Sequence, residues 1–567
     1  MSFDEAVRPR LATRYEGEDT RMTTRQELNG WYSYSIAAEV FAVVAMGLFF
    51  PVTLEQLARE RGVLFLDKTT PCISNPESGS HNATPKRAEN SKQCIVHFLG
   101  RDVTTASFAM YTLSAAVLVQ ALTLACFSSF ADHGPYRKKM LLTFAYTGSV
   151  ASALFLFIGP SVYFLAPVLV IIGVTCLGCS FSLQNAFLPL LVANHPDTRN
   201  PEDEVADFEL EALNPDATSL STHRSDPEKL ARDLERSAKI SSKGVGLGYM
   251  AAVFVQILSI LFLFLLSKTT NLSRTNPSFP IRLILFFVGL WWAALTTPTL
   301  LWLHPRPGSP LPTHSKPFQT QSFIKTILFY TSFSLMSFWR TIRRALRLRQ
   351  VIIFLLAWFL LSDAIATISG TAILFARTEL HMDTIPVALL SITSIACGML
   401  GAFAWPRLAA RYALQPKSVL LYCVALMEII PLYGLLAYIP MIKNLGVGGL
   451  QQPWEIYPLG VLHGIIMGGI SSYARSVYAP LIPEGSEAAF FALYAVTDKG
   501  SSAVGPALVG WIVDSAGTIR PAFIFLAVLA ILPVPLVWGL DVEEGRRAAV
   551  VMAEMVVREG KIDTYEE

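Results

Sequence analysis

Apolar runs of 18 residues or more recur along most of this chain, and they constrain its fold more than any other feature. A run of that length without charges is a membrane-crossing helix. Only 16% of the 567 residues are charged and 52% are hydrophobic, against about 25% charged in a soluble domain. These proportions exclude a soluble enzyme, a nucleic-acid binder and a small disulfide-rich secreted module. Twelve spans are predicted: 34–57, 105–128, 140–158, 163–192, 244–266, 283–303, 350–371, 385–404, 418–439, 456–480, 489–513 and 521–540. The polar first 33 residues predict no cleavable signal, so the first span serves as an anchor.

The charges between the spans set the orientation. Lys and Arg concentrate in loops and tails that share a side with both termini, which places that side in the cytosol. Residues 322–338 resemble a further span. Crossing there would put the five arginines of 340–350 on the outer side, against the positive-inside bias. The segment 318–349 therefore reads as an amphipathic helix on the cytosolic surface. The two sequons, at Asn82 and Asn271, both fall in outer loops, where glycans can be attached. Cys72 and Cys94 share one outer loop and are candidates for a disulfide. The other five cysteines lie in apolar runs, and Cys176 and Cys179, though spaced CxxC, sit mid-helix without a partner pair.

The expected organisation is an all-α, 6+6 bundle of the major facilitator type. Residues 1–33 form a cytosolic tail and 34–303 the first six-helix half. Within that half lie an outer loop, 58–104, and an acidic cytosolic loop, 193–239, expected to be disordered. A cytosolic connector with the amphipathic helix follows at 304–349, then the second half at 350–540 and a cytosolic tail at 541–567. Lys243-Gly244 opens span five and Lys499-Gly500 its counterpart, span eleven, as internal repetition would require.

Ionisable groups inside the hydrocarbon are functional candidates by default. Spans one, four, seven and ten line the cavity of a 6+6 transporter, and they carry Glu39, Gln184 with Asn185, Asp363 and His463. Glu39, Asn185, Tyr249, Asp363 and His463 are therefore candidates for substrate or proton binding. Asp363 reads as an unpaired carboxylate near the midplane. Asp132 and Arg137, in the loop Asp132–Lys139, and Arg475, Asp498 and Lys499 near the cytosolic ends of their spans, are candidates for gating contacts between the halves. Glu428 lies on a peripheral span. No phosphate-binding loop or metal-ligand spacing occurs; Gly244, Gly246 and Gly248 are helix-packing glycines. The expectation is a transporter without cofactor or metal, driven by a solute or ion gradient.

Three stretches, GWYSYSIAAEVFAVVAMGLFFPVTLEQLARERG (30–62), SSKGVGLGY (241–249) and FFALYAVTDKGSSAVGPALVGWIVDSAG (490–517), resemble the autophagy-related protein 22 family, fungal vacuolar membrane effluxers within the major facilitator superfamily. The resemblance implies export of neutral amino acids such as leucine from the vacuole to the cytosol, after autophagic protein breakdown. It implies no substrate-binding residue, so the candidates above rest on their spans. Proton coupling is compatible with an acidic lumen and a titratable Asp363 or His463. The alternatives are a carrier of sugars or monocarboxylates and a non-transporting nutrient receptor.

Overall fold

The computed structural model describes residues 19, 21–64, 69–72, 94–98, 100–196, 227–269, 277–308, 323–380, 382, 384–501, 504–516 and 518–565. Asn82 and Asn271, and 197–226 of the acidic loop, lie outside them. The first group of helices is α1 (Arg25–Arg61), α2 (Thr105–Ala131), α3 (Tyr136–Leu154), α4 (Ala166–Ala193), α5 (Pro227–Thr269) and α6 (Phe279–Trp302). The connector helix is α7 (Phe323–Arg347). The second group is α8 (Arg349–Thr378), α9 (Thr384–Tyr412), α10 (Pro416–Met427, continued by Ile429–Leu435), α11 (Ile456–Tyr478), α12 (Glu487–Ser501), α13 (Val504–Ala516), α14 (Ala522–Ile531), α15 (Pro533–Trp538) and α16 (Val542–Tyr565).

The architecture is an all-α, multi-pass membrane bundle. Among the described residues nine helices are long and apolar enough to cross, or ten if the bent segments 522–538 and 542–555 count as one. Twelve spans were expected from the sequence. The difference lies in the second half. The tenth predicted span, α11, is diluted by glycines, serines, His463 and Arg475. The eleventh is described as α12 and α13, with 502–503 outside the described residues. Two further expectations change. Residues 227–239 are helical and belong to α5, because Leu230, Ser237, Ala238 and Ser241 recur at helical spacing and are buried. Residues 542–565 of the C-terminal tail form α16, which packs on the end of α11 and beside α8.

The terminal end of the bundle is where α1 starts and where α15 gives way to α16. There Thr23 N–H donates to Asn194 O (2.8 Å), Gly308 N–H to Gly134 O (3.0 Å) and Asp541 N–H to Gln350 Oε1 (3.0 Å). The opposite end carries a three-stranded antiparallel sheet, β1 (Val63–Leu64), β2 (Cys94–Phe98) and β3 (Arg101–Thr104), with Val63 opposite Ile95 and Val96 opposite Val103. A disulfide between Cys72 and Cys94, whose Cα atoms are 6.0 Å apart, fastens the segment after β1 to β2.

Within the first half, hydroxyls return hydrogen bonds to carbonyls of neighbouring helices. Ser33 donates to Leu295 O (2.7 Å), Thr299 to Gly30 O (2.8 Å), Ser149 to Gly289 O (2.7 Å) and Ser152 to Leu285 O (2.8 Å). Such bonds join helices where lipid offers no partner. In the second half α9 and α11 approach so closely that a Cβ on Gly464 would overlap Ser394 O, and one on Gly468 would overlap Gly398 O and lie 2.6 Å from Ala402 N. The atoms in the way are backbone, which no rotamer change can move. Gly468→Ala is expected to cost about 1–3 kcal/mol or more, read as a lowered melting temperature of the detergent-purified protein. Gly510→Ala, where nothing lies within 4 Å, is expected to leave it unchanged or raise it. Equal behaviour of the two variants would contradict the close packing.

Candidate functional site

The site is the seam between the two halves, and it begins at the terminal end. Asp132 follows α2, and its carboxylate reaches the first turn of α12. Asp132 Oδ1 accepts from Ala488 N–H (2.7 Å) and Oδ2 from Ala489 N–H (2.8 Å). These amides are open donors at a helix N-terminus, where negative charge is favoured. Arg137 Nη2 donates to Asp132 Oδ1 and to Glu487 Oε2, both at 2.9 Å. All three side chains are at least 95% buried. Two carboxylates thus share one guanidinium, bridging the halves. Burial and the nearby Glu487 charge push the Asp132 carboxyl above its ordinary range, against the opposing pull of Arg137 and the two amides.

A second buried ion pair supports this loop. Arg306 Nη2 donates to Glu27 Oε2 (2.8 Å) and Nε to Glu27 Oε1 (3.0 Å), while Nη1 donates to Arg21 O (2.7 Å). Arg306 holds a left-handed φ of 44°, sparsely populated for a residue with a side chain. Two residues on, a Cβ on Gly308 would overlap Asp132 O, so the strand of chain leaving α6 lies against the back of the gate loop. Glu27 carries a local sign in the sequence: Thr24-x-x-Glu27 before an apolar run is a helix start, and Thr24 Oγ1 accepts from Glu27 N–H (3.2 Å).

Further into the bundle the halves meet through α4, α5 and α11. Arg475 Nη1 donates to Asn185 Oδ1 (2.9 Å), Nε to Ser241 Oγ (2.6 Å) and Nη2 to Ser241 O (3.1 Å). Its guanidinium lies over the Trp31 ring, 5.4 Å from the centroid. Ser241 Oγ donates to Ser472 O (2.6 Å), and the Tyr249 hydroxyl meets Ser471 Oγ at 3.2 Å. Asn185 and Tyr249, expected as substrate ligands, are therefore engaged in contacts between the halves, as Arg475 was expected to be. Gln184 ties α4 to α1 through Trp31 O and Ser35 Oγ.

Glu39 stands deeper in the same seam. It is half-buried and makes no hydrogen bond among the described residues. Trp31, Ser35 and Glu39 are spaced by four along α1 and face Gly244 and Gly248 of α5. A Cβ on Gly248 would lie 2.9 Å from Glu39 Cβ, and one on Gly244 2.6 Å from the Trp31 ring. The glycines give the carboxylate its room. Immediately after it, α1 widens into π-helical turns over Phe41–Phe49, a form common at functional sites. Its charge is within electrostatic reach of Arg475 and Lys499.

The structure corrects the reading of Asp363. Its Oδ1 accepts from Gly505 N–H (2.9 Å), the second residue of α13, so it has a partner. Ser362, its neighbour, donates to Asp498 Oδ1 (2.6 Å) and Asp498 O (2.9 Å) at the end of α12. Consecutive residues of α8 therefore hold both α12 and α13. Gly505 is required there, because a Cβ would overlap Thr367 Oγ1. Asp498 also pairs with Lys499 (2.9 Å). His463 meets Ser369 Oγ through Nε2 and Ser394 Oγ through Nδ1, both at 3.2 Å, which joins α8, α9 and α11 within one half. Sequence reasoning missed Glu487, Ser241, Glu27, Arg306 and Gly505. Among the described residues no group of three or more His, Cys, Asp or Glu is placed to hold a metal ion.

The profile of the family described as "Vacuole effluxer Atg22 like" matches residues 23–550. The chain is 66% identical over 557 residues to Autophagy-related protein 22-1 of Phaeosphaeria nodorum, covering 97% of this chain and 96% of that one. It is 52% identical over 565 residues to Autophagy-related protein 22-1 of Sclerotinia sclerotiorum, covering 96% and 94%. Its fold is similar, with a TM-score of 0.51 at 13% identity over 92% of this chain and 98% of the other, to a bacterial homologue of the iron transporter ferroportin in its outward-facing state. The fold is of the major facilitator type, and the chain belongs to the Atg22-like vacuole effluxer family, transporters rather than enzymes.

Proposed function

We propose that this protein exports neutral amino acids, leucine among them, from the vacuole to the cytosol by alternating access, with both termini in the cytosol. The observation that carries the substrate class is Glu39, a half-buried carboxylate without a hydrogen-bond partner among the described residues, with the cations of Arg475 and Lys499 in electrostatic reach. A zwitterion needs an anion for its ammonium and a cation for its carboxylate. Arg475 is engaged with Asn185 and Ser241 and Lys499 with Asp498, so Glu39 is the group we assign to the substrate ammonium, and one of the two cations would exchange its protein partner for the substrate carboxylate. A neutral sugar has no use for either charge, and a monocarboxylate would be repelled by Glu39. Glu39, rather than the capped Asp363 or the doubly bonded His463, is also the group we assign to any proton taken from an acidic lumen.

The conformation supports the direction of the cycle. Contacts from Asp132–Ala488 through Arg475–Asn185 close the seam at the terminal end, the state that would load from the lumen. Buried ion pairs such as Arg137–Glu487 contribute little net stability, but removing one partner leaves an uncompensated charge that costs about 3–5 kcal/mol. They suit a switch: intact they define the closed state, broken they must all go together.

In sealed vesicles containing the purified protein, saturable counterflow of labelled leucine is expected, suppressed by excess leucine or tyrosine and indifferent to glucose or lactate. Glu39→Gln keeps the shape and loses the charge. It is expected to appear normally in the membrane and lose transport at least tenfold, about 1.4 kcal/mol or more. Native transport by that variant would end the assignment of Glu39.

The gate gives an independent prediction. The closed state holds Asp132 above its ordinary value, whereas an open gate exposes it to water and returns it to about 3.9. The closed state therefore binds the proton more tightly and gains stability as pH falls, an advantage lost as pH rises past the raised value. Spin labels across the gate should show a growing closed population as pH falls from about 8 to about 5, and Asp132→Asn should abolish the trend. A trend of the opposite sign would show that the pull of Arg137 outweighs burial.

A further inference from the structure

The connector helix α7 carries features that substrate and gate do not use. One stripe faces inward: Thr341, Ala345 and Leu348 are buried, and Phe338 packs with Leu124 of α2 and Ala492 of α12. Leu124 belongs to the apolar stretch Phe108–Ser128 that crosses the membrane, so α7 lies at the level of the bilayer's edge. Two other stripes face away from the protein. Leu335, Trp339 and Leu346 are exposed by 47%, 54% and 63%. Beside them Arg340, Arg343 and Arg347 are exposed as well, and the Arg343 guanidinium lies 5.6 Å from the Trp339 ring centroid. From Phe323 to Arg349 the sequence has six basic residues, Lys325 and five arginines, and no acid.

A face turned wholly to water would not expose Trp339 between two leucines, and a face turned wholly to acyl chains would not carry three arginines. Adjacent apolar and basic stripes fit the boundary between them, where the ring and leucines enter the acyl region and the guanidiniums meet phosphates. We propose that α7 binds the headgroups of anionic phospholipids through Arg340, Arg343 and Arg347, and that this contact, passed through Phe338, stabilises the closed seam between α2 and α12. The coupling rests on the gate reading of Asp132 and Glu487; the lipid site does not. The acidic partner follows from charge complementarity, since five arginines without an acid in one stretch bind an anionic surface far more strongly than a neutral one.

The test uses the full chain in nanodiscs of phosphatidylcholine, with or without about one fifth phosphatidylserine. Spin-labelled phosphatidylserine should be immobilised around the native protein. In R340Q/R343Q/R347Q that retention should fall roughly tenfold or more, with labelled phosphatidylcholine unaffected, whereas R340K/R343K/R347K should keep most of it. Labels at His133 and Ser486 should report more closed gate when phosphatidylserine is present. Phe338→Ala should retain the lipid and lose that shift. Equal retention of phosphatidylserine by the native and glutamine variants would overturn the lipid site, whatever the gate does. Retention lost as expected, with a gate that ignores phosphatidylserine but answers leucine, would overturn the coupling alone. A gate distance that answers neither lipid nor leucine would overturn the gate reading and the coupling with it, leaving the lipid site standing.

Discussion

Hydrocarbon offers no hydrogen bonds, and the polar architecture of this protein follows from that constraint. A charge or amide that leaves water inside the bilayer must find its partner in the chain. The contacts of α8 show this directly: Ser362 bonds Asp498 of α12, and the Asp363 carboxylate takes the Gly505 amide of α13. At the terminal end, the open amides of α12 take Asp132 from the other half of the molecule. The α12–α13 segment thus has bonds to α8 of its own half and its beginning capped by the opposite half. In the alternating-access cycle proposed above, the bonds within the half would persist and the cap would have to break.

Glu39 departs from the rule, and that departure carries the functional argument. Other intramembrane polar residues considered as ligands have protein partners: Asn185 has Arg475, Tyr249 has Ser471, His463 has two serines and Asp363 has an amide. A carboxylate placed beside π-helical turns of α1, in space cleared by Gly248, is costly unless something arrives to meet it. Binding energy from a ligand ammonium would be large at such a position, because the carboxylate is partly withdrawn from water and has made no substitute bond among the described residues.

Most of the fold was legible because hydropathy and loop charge are summed over many residues. The helical course of α1 to α6 and of α8 to α10 was readable in this way. The bond from Gly505 to Asp363, 142 residues away in the chain, was not. For the same reason Asp363 was recognised as a deep carboxylate but read as unpaired: span position says that a carboxylate is deep, and only packing says what it touches. Asp132 and Arg137 were readable together because only five positions separate them, Asp132 just after α2 and Arg137 in the first turn of α3. Glu487, 350 residues from Arg137, was hidden as an ordinary acid in a helix's first turn. The glycines were read correctly as packing residues, but their different partners were not visible. Gly248 faces Glu39, Gly246 faces Phe403 of the other half, and Gly398 lies between Tyr249 and α11.

These glycine contacts distinguish interfaces that stay from those that move. Inside the second half, α9 and α11 meet backbone to backbone at Gly398, Gly401, Gly464 and Gly468, with His463–Ser394 and Trp405–Ile465 O beside them. In the cycle proposed above, such a contact could slide only by separating, so these helices would travel as one body. Across the seam the contacts are of another kind. Phe403 rests on Gly246, the Tyr249 ring on Gly398, and long side chains such as Arg137 and Arg475 reach over to oxygens. Aromatic rings and guanidiniums have rotamers to change and polar tips that can turn to water or substrate when the halves part. Small residues where rigidity is needed and long polar ones where separation is needed allow the same chain to be a packed bundle within each half and a switch between them.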